Sequence, residues 1–205
     1  VLTNIGPAHL ESFGSLEGVF RTKSELVEAL PPDGLAAVNL DDPFLKRLVP
    51  ALAKRAVTYG LSPQAAVRVM DAGPGCIVLE LRGRRIRVAA EDAGAIHRIN
   101  AAAAAAAACA LGLTPEEIEE GLARFKPAPL RYAVRKHPSG CRLVVDAYNA
   151  NPASMRAGIE TFLETSHETE RILVLGDMKE LGELSGRFHR ELGEWVAGLP
   201  LRALY

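Results

Sequence analysis

Apolar residues recur along this chain with two spacings, and each change of spacing marks an element. From Ser15 to Leu30 they fall at Leu16, Val19, Phe20, Leu26, Val27 and Leu30, the face of an amphipathic helix. Pro31-Pro32-Asp33-Gly34 stops it. Leu35 to Val38 is a short apolar run that predicts a buried strand, and Ala56 to Tyr59 predicts another. Between them, Asp41-Asp42-Pro43 predicts a helix start, with Asp as cap and Pro in the first turn. Alternating strands and helices imply a parallel α/β architecture. The rhythm then changes. Ala66 to Met70, Ile77 to Leu81 and Ile86 to Val88 are short strands separated by Gly73-Pro74-Gly75 and Gly83, which predicts antiparallel hairpins.

Asn100 precedes eight alanines, 101 to 108, and the apolar character continues through Leu111. Alanine is the best helix former, and its small side chain lets a helix pack close to a sheet. Thr114-Pro115-Glu116-Glu117 predicts the start of a second helix, with a capping hydroxyl and acids in the first turn. Lys126-Pro127-Ala128-Pro129 reads as a linker, which places a domain boundary near residue 127. After it the α/β rhythm restarts, with strands at Arg142 to Val145 and Ile172 to Leu175 and helices at Ala153 to Glu164 and Phe188 to Val196. The expected domains are 1–126 and 127–205.

Composition narrows the function. The formal net charge is −1, so nothing electrostatic favours nucleic acid or an anionic membrane. No apolar run reaches the length of a membrane span. Cys76, Cys109 and Cys141 are far apart and fit no zinc or disulfide spacing, so a reducing cytoplasm is expected. The first residues read as the end of a strand, and Leu199 to Tyr205 as a helix exit into a new strand. The expectation is a piece of a longer protein.

Three segments carry polar groups where chemistry is expected. Asp146-Ala147-Tyr148-Asn149-Ala150-Asn151-Pro152 follows the apolar run Leu143 to Val145. Polar side chains at the C-terminal end of such a strand line ligand crevices in α/β proteins. The same residues also suit a capped turn, since Asp and Asn favour turns and Pro favours the first helical position. Leu175-Gly176-Asp177-Met178-Lys179-Glu180-Leu181-Gly182 repeats the arrangement after the next strand. Near the start, Thr3-Asn4-Ile5-Gly6-Pro7-Ala8-His9-Leu10-Glu11 presents a histidine after a Gly-Pro turn, suited to metal binding or proton relay, or simply a loop residue. Neither a GxGxxG fingerprint nor a GxxxxGK[ST] phosphate loop occurs in the chain.

Together these stretches, with Lys23 and the Asn100-alanine run, resemble the Mur ligases, ATP-dependent enzymes that extend the peptide of the bacterial cell-wall precursor. The segments at 146–152 and 175–182 look most like the branch that joins D-alanyl-D-alanine to UDP-N-acetylmuramoyl-tripeptide. The resemblance implies an α/β fold: the C-terminal portion of a central ATPase domain, then part of a Rossmann-like C-terminal domain. It implies ATP and Mg2+, an acyl-phosphate intermediate and small-molecule substrates; apart from the resemblance, a cytoplasmic monomer is expected. Carried over residue by residue, His9 matches a magnesium ligand and Lys23 the lysine that the family carbamylates, which turns a cation into an anion able to support that metal. Asn100 matches the asparagine near the adenine, Arg131 the arginine that reaches the phosphates, and Asp146 the ribose-binding aspartate. Asn149 and Asn151 fall at the acyl-acceptor crevice, and Asp177, Lys179 and Glu180 on the D-Ala-D-Ala side. Asn39 and Asp41 match a recurrent segment that reads as a turn and helix cap.

Two departures stand out. Ile96 and His97 occupy positions where the family carries a His-Asn pair. The phosphate loop and the acidic magnesium ligand lie upstream in the family and are missing from this chain, so these 205 residues alone are expected to be inactive. A catalytically silent binding module, or a related ATP-dependent ligase with another acceptor, are the alternative readings; an NAD-linked oxidoreductase lacks its glycine fingerprint.

Overall fold

The computed structural model describes the chain except Ala8, His9, Ala72, Pro74, His167, Glu168, Thr169 and the side chain of Leu10. Its elements run α1 (Leu10–Phe13), α2 (Leu16–Glu28), β1 (Ala36–Asn39), α3 (Val49–Leu52), β2 (Ala56–Gly60), β3 (Val67–Met70), β4 (Cys76–Leu81), β5 (Arg84–Ala89), α4 (Ala95–Ala110) and α5 (Pro115–Ala123). They continue with β6 (Ala133–Lys136), β7 (Arg142–Val145), α6 (Pro152–Thr165), β8 (Ile172–Leu173), α7 (Ser185–Ala197) and β9 (Ala203–Leu204). Two compact units result: Val1–Ile5 with Leu16–Lys126, and Gly6–Ser15 with Pro127–Tyr205. The second unit therefore resumes at Pro127. Gly6–Ser15, which the sequence reading assigned to the first domain, packs with the second, where α1 lies against the turn at Gly182–Leu184.

In the first unit a five-stranded sheet has the order β1-β2-β3-β4-β5. β1, β2 and β3 are parallel; β3-β4 and β4-β5 are antiparallel. The alanine helix α4 packs on β1, β2 and β3. Ala101, Ala102, Ala103, Ala105 and Ala106 are buried there with Tyr59, Val67, Leu79 and Ile86, so methyl groups permit the close approach that the composition suggested. α5 starts with a reciprocal capping box between Thr114 and Glu117. The helix expected after Asp41-Asp42-Pro43 is shorter than its cap signal implied: a 3-10 turn at Leu45–Leu48 and then the single-turn α3.

The β2–β3 connection is brief for parallel neighbours, which usually need a long crossover. They pair only at Tyr59↔Val67 and Gly60↔Arg68. The chain leaves β2 through Gly60 at φ +144°, where a Cβ would overlap the Asp41 carboxylate. That carboxylate accepts the N–H groups of Leu61 and Ser62 and so closes the turn.

In the second unit β6 and β7 form an antiparallel hairpin, and β8 and β9 a parallel pair. The core is Ile159 of α6, Leu173 of β8 and Val196 of α7, with Phe162, Leu192 and Trp195 around them. β6 was not foreseen: Ala133-Val134-Arg135-Lys136 is short and half exposed, and only pairing with β7 makes it a strand. Among the described residues, no helix is long and apolar enough to cross a membrane.

Candidate active site

The first cluster is built around residues 2–5. Leu2 bridges to Val38 beside β1, and side chains from three elements then hold the exiting backbone. Tyr59 Oη donates to the Leu2 carbonyl at 2.8 Å, Asn39 Nδ2 to the Thr3 carbonyl at 2.9 Å, and Lys23 Nζ to the Asn4 carbonyl at 3.0 Å. The Ile5 N–H donates to Asp42 Oδ2 at 2.7 Å, while Asp42 Oδ1 accepts from the N–H groups of Phe44 and Leu45. Asn39 also accepts from Asp41 N–H, so the turn reading of Asn39 and Asp41 describes part of what they do. Lys23 reaches this point because α2 buries Val19, Phe20 and Ser24 and leaves Lys23 exposed beside that face. His9 lies outside the described residues.

Burial, together with the nearby Asp42 and Asp41 charges, pushes the Tyr59 phenol well up from its ordinary value, so it stays a neutral donor. Tyr59→Phe should destabilise the first unit by about 1–3 kcal/mol, because the buried Leu2 carbonyl loses its best-placed donor. Urea unfolding of the two proteins measures this; an unchanged midpoint would remove the hydroxyl from the account.

Asn100 projects from α4 as an exposed amide at the start of the alanine face.

The second cluster lies at one end of the β6–β7 hairpin. Two residues there have left-handed backbone conformations that side chains disfavour, Leu130 at φ 62° and Tyr132 at φ 48°. Three contacts sustain them. Tyr132 N–H donates to Asp146 Oδ1 at 3.1 Å, and Tyr148 N–H donates to the Leu130 carbonyl at 3.2 Å. The buried Tyr132 ring reaches Thr165 through its hydroxyl. This places the Arg131 guanidinium over the Tyr148 ring, 3.8 Å from its centroid. Asp146 Oδ2 lies close to Gly158 of α6, where an added Cβ would come within 3.3 Å, so the missing side chain makes room for the carboxylate. The structure thus brings Arg131, Asp146 and Tyr148 together. Asn149 is exposed, its Oδ1 close to the Ala150 N–H. Asn151 caps α6 in a reciprocal box with Ser154, as the turn reading of this segment implied.

The third cluster is the loop after β8. Met178 and Leu181 are buried and anchor it, while Asp177, Lys179 and Glu180 are exposed. Glu180 sits at φ 60°, which turns the chain between the two anchors. His189 of α7 accepts the Met178 N–H on Nε2 at 3.1 Å. Sequence reasoning gave no role to His189 or Tyr59 and read Asp42 only within a helix cap, since each also acts on a partner far from it in the chain or on another element.

Arg131 offers a planar cation suited to phosphate, and Asp146 keeps one carboxylate oxygen uncommitted by Tyr132 for a hydroxyl pair. That donor set fits a nucleotide. Among the described residues no group of three or more His, Cys, Asp or Glu side chains could hold a metal ion. Lys23, as a cation on a carbonyl, supplies no anionic oxygen.

Residues 1–108 match the Mur ligase middle domain, and residues 130–203 match the Mur ligase, glutamate ligase domain. The chain belongs to the Mur ligase family. Within it, the chain is 33% identical over 199 residues to the UDP-N-acetylmuramoyl-tripeptide–D-alanyl-D-alanine ligase of Bacillus subtilis, covering 96% of this chain and 43% of that protein. It superposes on MurF from Acinetobacter baumannii with a TM-score of 0.88 at 32% identity, covering 98% of this chain and 45% of that one. Against MurF from Thermotoga maritima in complex with ADP, the TM-score is 0.82 at 30% identity, covering 98% of this chain and 46% of that one. The chain therefore spans less than half the length of these relatives.

Proposed function

We propose that the protein to which this chain belongs is an ATP-dependent ligase that joins D-alanyl-D-alanine to UDP-N-acetylmuramoyl-tripeptide. The observation that carries the reading is the grouping of Arg131, Asp146 and Tyr148 at the mouth of the β6–β7 hairpin. Similarity to the UDP-N-acetylmuramoyl-tripeptide–D-alanyl-D-alanine ligase of Bacillus subtilis and to Thermotoga maritima MurF in complex with ADP supports the same choice of substrates. In this reading Arg131 neutralises nucleotide phosphate charge and Asp146 Oδ2 accepts from ribose hydroxyls; in the first unit, the assignment of Asn100 to the adenine rests on the family resemblance. Asn149 faces the acyl acceptor, and Asp177, Lys179 and Glu180 serve the dipeptide. Asn151 acts chiefly through the helix it caps.

The chemistry balances in two transfers. The tripeptide carboxylate takes the γ-phosphoryl group of ATP and ADP leaves. The dipeptide amine then attacks the acyl carbon, an amide bond forms, and inorganic phosphate departs as the amine loses a proton. Magnesium would screen phosphate charge in the first transfer. The described residues do not fit it unaided. Carbamylation of Lys23 would convert its head to an anion able to support that metal; His9, the other ligand that the resemblance implies, lies outside the described residues.

The test is ADP release with ATP, magnesium, UDP-N-acetylmuramoyl-tripeptide and D-alanyl-D-alanine. The full-length protein should release ADP only when the dipeptide is present. The 205-residue chain, which contains no GxxxxGK[ST] cradle, should release none. A full-length protein that binds ATP and stays silent with this acceptor would overturn the assignment.

A further inference from the structure

We propose that His189 is a positioning residue for the dipeptide: it holds the loop that carries Asp177, Lys179 and Glu180 by accepting the Met178 N–H. The inference rests on the ligase reading above and adds a residue to it. The geometry determines which ring nitrogen carries the hydrogen. A backbone N–H can only donate, so Nε2 must present its lone pair to Met178, 3.1 Å away. A backbone carbonyl can only accept, so Nδ1 must carry its hydrogen toward the Ser185 carbonyl, 2.8 Å away. One neutral tautomer satisfies both contacts, and the carbonyl one turn earlier on α7 orients the ring.

That hydrogen bond falls at the centre of the loop. Met178 points inward and is 3% exposed, while its neighbour Asp177 points outward with its side chain 90% exposed. Holding the peptide N–H of Met178 therefore sets the direction in which the flanking Asp177 and Lys179 leave the backbone. Leu181 provides the second anchor, and Glu180, at φ 60°, makes the reversal between the two. The loop has buried apolar pegs, but His189 is the side chain that holds its backbone by a directional bond at Met178.

Two amide substitutions separate this role from general structural support. In His189→Gln, the side-chain oxygen reaches the place of Nε2 and can accept from Met178. In His189→Asn, the amide ends near the place of Nδ1 and falls short. Both put a polar amide on a half-buried helix position. In the full-length protein, H189N should raise KM for D-alanyl-D-alanine about fivefold, the loss of one ordinary hydrogen bond, with KM for ATP unchanged. H189Q should stay within about twofold of wild type on both. Hydrogen exchange at Met178 should quicken in H189N and not in H189Q. Equal KM values for the dipeptide in wild type and H189N would overturn the proposal, as would equal rises for ATP and dipeptide. An active wild type distinguishes these outcomes from failure of the ligase reading; a wild type silent with the dipeptide would overturn both.

Discussion

Asp42→Ala should cost the first unit about 3–5 kcal/mol of stability, the sum of several charge-assisted hydrogen bonds discounted for their non-additivity. The Asp42 carboxylate is 8% exposed and accepts three backbone N–H groups: Ile5 at 2.7 Å, and Phe44 and Leu45 at 2.9 Å each. Ile5 and Leu45 are themselves buried, so water reaches the orphaned donors poorly. Asp42→Asn should lose about half as much, since its remaining oxygen can serve Phe44 and Leu45 while its amino group opposes the Ile5 N–H. Urea unfolding gives both numbers. The effect has a local signature as well: hydrogen exchange at Ile5 should accelerate in both variants. A D42A midpoint indistinguishable from wild type would show that the Ile5 end is held by the other clamps on residues 2–4.

Replacing Arg131 by Ala in the full-length protein should weaken ADP binding about 10- to 100-fold, the range for a lost charge-assisted contact to phosphate. The magnitude depends on preorganisation. The left-handed residues on either side of Arg131 cost about 1–3 kcal/mol each, and the pairings to Asp146 and Tyr148 sustain them. The guanidinium is thus held over the Tyr148 ring before any nucleotide arrives. Arg131→Lys should recover part of the affinity, because an ammonium keeps the charge and loses the planar fork and the stacking. Tyr148→Phe keeps the ring face and should bind ADP nearly as wild type. Calorimetric titration with ADP checks all three. Wild-type affinity in R131A would remove Arg131 from the nucleotide site.

The residues differ in how visible they were beforehand. Thr114 and Glu117 declared α5 within four positions, and the alanine run declared α4 by propensity alone. Arg131 and Asp146 were flagged by their motifs. Asn151 was flagged too, and the structure gives it the cap that the turn reading foresaw. Asp42, read as a cap, also holds Ile5, 37 positions earlier, and no local pattern encodes that partner. β6 was invisible because a short, polar strand exists only through its neighbour. His189 lies in a helix whose sequence says nothing of the loop it touches.

Most elements, the caps of α5 and α6 and the position of each motif were present in the chain, because spacing, capping and propensity act over a few residues. The folded structure decided that Gly6–Ser15 packs with the second unit, that Arg131 rests on Tyr148, and that Tyr59, Asn39, Lys23 and Asp42 converge on residues 2–5. Each of these joins groups from separate elements. Such pairings form only when packing of the core has met the entropy of closing the chain between them, and that balance is a property of the whole fold.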